Sequence, residues 1–380
     1  MTACRLSVIV PAYNGTKVLP ASLEALAASD LPRSEWELIV VDDASTDGTG
    51  HLAQQYADRV VRLDLRPHGP SYARNRGVEV ARGEILVFID ADVTVHPTTL
   101  RQFCEAFRGA PDDVAAIFGS YDANPPAPGV VSRYRNLYHH YVHHQNPGEA
   151  ETFWAGCGAV RAAAFRAVGM YNEWHFSRPQ VEDIELGHRL RDHGYRILLR
   201  PDIQATHLKH WTFRNMVATD LNDRGVPWMR LLIRRGQTAE SQSLNLKRAE
   251  KVKTALVALA VASLAWGVYQ RTMTGVLLAV LLLAPVLLSN LHLYRFFQQQ
   301  GGFWFALATV PLNVLYYAIN TVAAAWGWIL HLTLGDPQPP VAVEAMAELG
   351  VDSWPPVPKK LPDASGQRVS GPGQQGKGPA

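Results

Sequence analysis

Cysteine is scarce in this chain. Cys4, Cys104 and Cys157 are the only three, with no CxxC spacing among them. This excludes a zinc ribbon, gives no support to a disulfide framework, and suits a reducing compartment. Net charge is also small, +2 over 380 residues, far from the strongly basic balance of a nucleic-acid binder. The first apolar run, Leu6 to Val10, is too short for a signal peptide, so the N-terminal region is expected to stay in the cytosol. No Walker loop and no haem or flavin signal occurs. Charged residues make up 18% of the chain, below the roughly 25% of soluble domains, and the shortfall is local. Between Thr254 and Leu334 only Arg271 and Arg295 are charged. A normal soluble region is therefore joined to a strongly apolar C-terminal one.

Short Val- and Ile-rich runs open the soluble part: Leu6 to Val10, Leu38 to Val41, Val60 to Leu63 and Ile85 to Ile89. Helically spaced leucines lie between them, as at Leu19, Leu23 and Leu26. Such alternation predicts a doubly wound, mostly parallel sheet, whose ligands sit beyond the carboxyl ends of the strands. Three apolar stretches follow, 254–270, 273–291 and 303–332, against the roughly 20 residues a bilayer crossing needs. The first is slightly short, and the third could span, break at Pro311 or lie in the membrane plane. Lys247, Arg248, Lys251 and Lys253 precede the first stretch and place that side in the cytoplasm. Strict alternation over three spans would put the tail outside. Residues 211–253 mix aromatic, aliphatic and arginine residues, as an interfacial segment or an ordinary surface helix would. The Pro- and Gly-rich tail, 335–380, is expected to be disordered.

Four motifs stand at predicted strand or helix ends. Pro11-Ala12-Tyr13-Asn14-Gly15 is a turn that exposes backbone and an aromatic ring. In Asp42-Asp43-Ala44-Ser45 a carboxylate can accept from a base or ribose, or serve as a helix cap. Asp90-Ala91-Asp92 ends an apolar strand; at i, i+2 in extended chain both carboxylates face one way, toward a hard cation such as Mg²⁺ or Mn²⁺. Glu182-Asp183 opens a helix, where acids suit the dipole and where a positioned carboxylate could act as general base.

The segments SVIVPAYN, VVDDASTD, ARNRGVEVARGEILVFIDAD, FWAGCGAVRAAAF and VEDIELGHRLRDHGYRI occur in this order over about residues 5 to 210. The chain thereby resembles the membrane-anchored family 2 glycosyltransferases of bacteria. The resemblance implies a GT-A fold, an α/β doubly wound mixed sheet at residues 1–210, followed by transmembrane helices within 254–334. It implies that Pro11 and Tyr13 line a base site, that Asp43 binds the base, that Arg74 reaches base or phosphate, and that Asp90 holds ribose or sugar. Asp92 would bind Mg²⁺ or Mn²⁺. His207 resembles a histidine that touches metal or diphosphate in some members, or is a plain strand-end histidine. Asp183 matches the catalytic base. Trp154, Gly156, Cys157 and Glu182 would lie on the acceptor side, although Trp154 and Cys157 could equally be core.

The implied reaction is inverting transfer from a nucleoside-diphosphate sugar, a UDP-sugar foremost, to a lipid or lipid-linked glycan acceptor at the cell membrane. Polyprenyl phosphate as the acceptor itself, or an inactive sugar-nucleotide-binding scaffold, are the alternatives. The family's processive synthases carry QxxRW. Here Gln204 and Trp211 lack the arginine, so single-sugar transfer is expected. His139 with His143, and His140 with His144, have helical i, i+4 spacing able to bind zinc but no clear third ligand.

Overall fold

The computed structural model describes residues 5–236 and 247–336. The disorder expected of the tail beyond Asp336 lies outside them, as does Cys4. Nine strands form one sheet: β1 (Leu6–Ala12), β2 (Trp36–Asp43), β3 (Arg59–Leu63), β4 (Ile85–Ile89), β5 (Val93–Val95), β6 (Val114–Tyr121), β7 (Gly148–Ala150), β8 (Cys157–Arg161) and β9 (Arg196–His207). Their order is β3-β2-β1-β4-β8-β6-β9-β5, with β7 also on β9. β1 to β4 are mutually parallel. β8 runs antiparallel between β4 and β6, and β9 returns parallel to β6. The sheet is thus mixed, as the family resemblance implies.

Alternation along the strands feeds two cores. Val8, Val10, Val87 and Ile89 face α1 (Leu19–Ala27), which carries Leu23 and Leu26, across one side. The short α2 (Thr49–Ala53) follows β2. On the other side Ile9, Ile39, Val41 and Phe88 meet Val78 of α3 (Pro70–Val80). α4 (Thr99–Gly109) brings Phe103 and Phe107 to the first core. α5 (Val130–His144) lies at the β6 end, and α6 (Ala162–Ala167) and α7 (Glu182–Asp192) add Phe165, Leu186 and Leu190 to the second core. Burial of these side chains, at roughly 25 cal/mol per Å² of apolar surface, holds the layers together. Cys157 is a free, buried thiol, whereas Cys104 is disulfide-bonded, against the expectation of no disulfide.

After β9 come α8 (Phe213–Ala218), a π-helical turn at Thr219–Gly225 and α9 (Val226–Arg234), with Phe213 exposed and Met216, Leu231 and Leu232 buried. Trp211 and Met216 pack with Tyr134 and Leu137 of α5, and Leu231 packs with Phe176 and Val181. A buried Arg135–Asp220 pair at 2.7 Å fastens the π-turn to α5.

The apolar third forms α10 (Arg248–Gln270), α11 (Met273–Ser289) and α12 (Leu291–Leu334). α10 and α12 are long and apolar enough to cross a membrane, and α11 is shorter. α10 and α11 form a hairpin whose helices meet at Gly267 and Gly275. A Cβ on Gly267 would lie 2.8 Å from the Gly275 Cα, the close approach that small residues permit. α12 is broken at Gly302 (φ 81°, ψ 175°). It lies along the soluble domain: Phe305 is under Arg133, Tyr316 meets Tyr138, and Gly335 O accepts from Arg230 at 2.8 Å.

Candidate active site

The carboxyl ends of β1, β2 and β4 supply the first rim of the site. Tyr13, just past β1, is 52% exposed, so its ring is free to meet a flat partner, with Pro11 behind it at the strand end. Asp43 is buried. Its two oxygens accept the backbone N–H groups of His68 (2.8 and 3.1 Å) and Gly69 (2.8 Å). It therefore does not cap α2, and it fixes the loop that enters α3.

Asp90-Ala91-Asp92 is not extended. The Val93 N–H donates to Asp90 O at 3.0 Å, closing a tight turn between β4 and β5 that sends the carboxylates to different partners. Asp90 accepts from Arg74 Nη2 at 2.7 Å, and Arg74 Nη1 donates to Glu182 Oε1 at 3.1 Å. Arg74 is only 4% exposed and Glu182 5%. Arg74 is a buried clamp between the two acidic motifs. Glu182 is turned into the protein, its other oxygen taking the Gln180 N–H at 2.8 Å. Deleting one member of such a buried pair typically costs about 3–5 kcal/mol, because a charge is left uncompensated.

Asp92 faces His207, with Oδ2 and Nε2 3.5 Å apart. Burial opposes the Asp92 charge, but the hydrogen bond and charge of His207, with Lys209 nearby, outweigh it and hold the carboxyl below its usual range. The Asn136 amide donates to Lys209 O at 3.3 Å, which turns its Oδ1 to His207 Nδ1 at 2.7 Å. His207 Nδ1 is thereby held by Asn136, and Nε2 is the ring nitrogen turned to Asp92. Tyr121 stacks on the ring at 4.4 Å and 5°. His207 is thus held by Asn136 and Tyr121 with Nε2 toward Asp92. Among the described residues no cluster of three His, Cys, Asp or Glu side chains forms a complete metal cage. A carboxylate oxygen beside an imidazole nitrogen still fits Mg²⁺ or Mn²⁺, which commonly complete their shell with phosphate and water oxygens.

Asp183 opens α7. Its oxygens accept from Ala155 N (3.3 Å) and Ile184 N (2.8 Å), while the Asp90 N–H donates to Gly156 O at 3.4 Å. Both acidic motifs are thus tied to adjoining peptides of one loop. Burial first, and the neighbouring Glu182 second, push the Asp183 carboxyl up to about 7, a value suited to a base working near neutrality. Trp154 stands beside it, edge-on to Tyr121, His139 and His143. A Cβ on Gly156 would be 2.5 Å from the Trp154 ring, so glycine is required where the indole lies. Cys157 is fully buried in the core and its thiol is raised to about 12 by burial, so it is not an acceptor-side group. The histidines of α5 form no zinc site: His140 and His143 bond the Tyr121 and Gly119 carbonyls at 2.7 and 3.2 Å.

Residues 7–169 match the model of Glycosyl transferase family 2. The chain carries a family 2 glycosyltransferase domain. It is 38% identical over 101 residues to the poly(ribitol-phosphate) beta-N-acetylglucosaminyltransferase TarS of Staphylococcus aureus, covering 26% of this chain and 18% of that protein. It is 29% identical over 229 residues to the validoxylamine A glucosyltransferase of Streptomyces hygroscopicus, covering 50% of this chain and 52% of that one. Each match therefore spans about half or less of the relative's length. Among solved structures, a mannosyltransferase from Pyrobaculum calidifontis in complex with GDP-Man and Mn²⁺ aligns with a TM-score of 0.49 at 20% identity, over 87% of this chain and 88% of that one. Sequence reading of the glycosyltransferase domain missed Tyr121, Asn136 and Lys209. The first two lie outside any motif and reach the site only through the fold, whereas Lys209 was visible two residues after His207.

Proposed function

We propose that the chain is a divalent-cation-dependent, inverting glycosyltransferase. It would move a sugar from a nucleoside-diphosphate sugar, a UDP-sugar foremost, to a lipid or lipid-linked acceptor at the cell membrane, with the catalytic domain in the cytoplasm. One observation carries this reading. Asp183, raised to about 7, and the metal-compatible Asp92–His207 pair both border Tyr121, whose hydroxyl is raised by burial and by the charges of Asp90, Asp92 and Asp183.

In this reading Tyr13 and the Asp43-fixed loop hold the nucleotide, and Asp90, steered by Arg74, orients ribose or sugar. Asp92 and His207 are the side chains that would hold Mg²⁺ or Mn²⁺, which when bound neutralises charge on the diphosphate. Lys209 adds a positive charge on the same side. Asp183 accepts the proton of an acceptor hydroxyl, the oxygen attacks the anomeric carbon, and the bond to the diphosphate breaks with its electron pair leaving on phosphate oxygen. Attack from the face opposite the leaving group inverts the centre. The names of the curated relatives support sugar transfer and leave the sugar open. A screen of nucleotide sugars with membrane lipid extract, with and without Mn²⁺, is expected to give cation-dependent nucleoside diphosphate release with one donor. Release equally fast in excess chelator would reject the metal, and no release with any donor would favour the inactive scaffold.

A further inference from the structure

A cavity of about 630 Å³ lies between the loop before α7, helix α9 and the end of α12. Its walls include Arg178, Arg230 and Arg234, with Trp174 on the loop and Trp326 on α12. Carboxylates balance two of the arginines. Arg178 pairs with Asp223 at 3.3 Å, and Arg234 pairs with Asp336 at 3.6 Å while also meeting His175 Nε2 at 3.3 Å. Arg230 is different. Its Nη2 donates to the Gly335 carbonyl at 2.8 Å. The cavity thus holds a guanidinium that no carboxylate among the described residues neutralises. His175 adds no charge at neutral pH, since burial and then Arg234 bring it down to about 4.

Two further features give the occupant its character. Trp326 is 49% exposed, and the exposed apolar residues Trp328, Ile329, Leu332 and Leu334 follow it on α12, so apolar surface lies alongside the arginines that hold Gly335 and Asp336. Gln180 lines the cavity and its backbone N–H holds Glu182. Asp183 is three residues further on, at most about 11 Å of extended chain. A ligand here would meet arginine and, along the end of α12, exposed apolar surface, a few residues from the candidate base.

We infer that this cavity is the acceptor's headgroup site and that it takes a phosphate or diphosphate monoester on a membrane lipid, gripped by Arg230 and Arg234 while the acceptor hydroxyl reaches Asp183. The inference rests on the glycosyl-transfer reading above. Its test uses the full chain in detergent micelles titrated with polyprenyl phosphate, read by tryptophan emission, with phosphatidylglycerol and inorganic pyrophosphate as comparison ligands. Loss of charge-assisted hydrogen bonds is expected to weaken polyprenyl phosphate binding about tenfold or more in Arg230→Gln/Arg234→Gln, with partial recovery in Arg230→Lys. Nucleoside diphosphate affinity reports that each variant is folded. Unchanged lipid affinity in the double variant overturns the assignment. Equal affinity for phosphatidylglycerol reduces the cavity to a general anionic contact, and equal affinity for pyrophosphate makes it a soluble-anion site; either contradicts the inference. Donor turnover by the unaltered chain is measured beside it. Its absence would overturn the transferase reading while leaving the binding result standing.

Discussion

Asp183 is the residue on which the chemistry turns, and its environment sets a pH signature. A base works only when ionised. With its carboxyl raised to about 7 by burial and Glu182, transfer is expected to level off above that pH and to fall about tenfold for each unit below it. A kcat/KM profile that stays flat down to pH 5 would contradict the role. Arg74 keeps this site in balance. It is the cation that offsets Glu182 and Asp90 together, so the two acidic motifs are physically one unit. The motif reading named all of these residues. It does not show that Arg74 joins Asp90 to Glu182, because a sequence shows which charges exist and not which of them find each other inside the protein.

At the scale of elements, the strands read from Val and Ile runs stand where expected. β1 to β4 contain them, because runs of fully buried β-branched residues between helices have few other ways to fold. The second half of the sheet was harder to read. β6 (VAAIFGSY) and β8 (CGAVR) are rich in Ala and Gly, so their strand signal is weak, and β9 is interrupted by Pro201 at a register irregularity. α5 carries the least legible contribution. Nothing about Asn136 in sequence announces that it anchors the ring of a histidine 71 residues away. Outer partners of metal-facing histidines are typically worth about 10–100-fold in metal affinity. Asn136→Leu is accordingly expected to raise the Mn²⁺ concentration for half-maximal turnover by about that factor, and an unchanged midpoint would remove Asn136 from the site.

For the whole molecule, the apolar third packs onto itself and onto the rest of the chain. The base of the α10–α11 hairpin meets the middle of α12, through Tyr317 to Glu250 at 2.9 Å and through Val257 and Val286. Further along the hairpin Leu259, Leu264, Trp266, Leu277 and Leu281 are exposed. Basic residues stand at both ends of the hairpin, Lys247 before it, Lys251 in the first turn of α10 and Arg295 after it. We propose that the hairpin inserts from one side, with Arg230 holding Gly335 beside the sheet-bearing domain. A tag after residue 336 is expected to share the protease accessibility of the catalytic domain in sealed membrane vesicles, and opposite accessibility would reject the hairpin. The central claim is that this molecule sets an ionised Asp183 beside a nucleoside-diphosphate sugar to activate an acceptor hydroxyl. Its most direct test is Asp183→Asn in the full chain, assayed for sugar transfer with nucleotide affinity measured in parallel. The expected result is a loss of transfer of about 10²–10⁴-fold with nucleotide affinity unchanged, and transfer retained within a few-fold of the unaltered chain would contradict the claim.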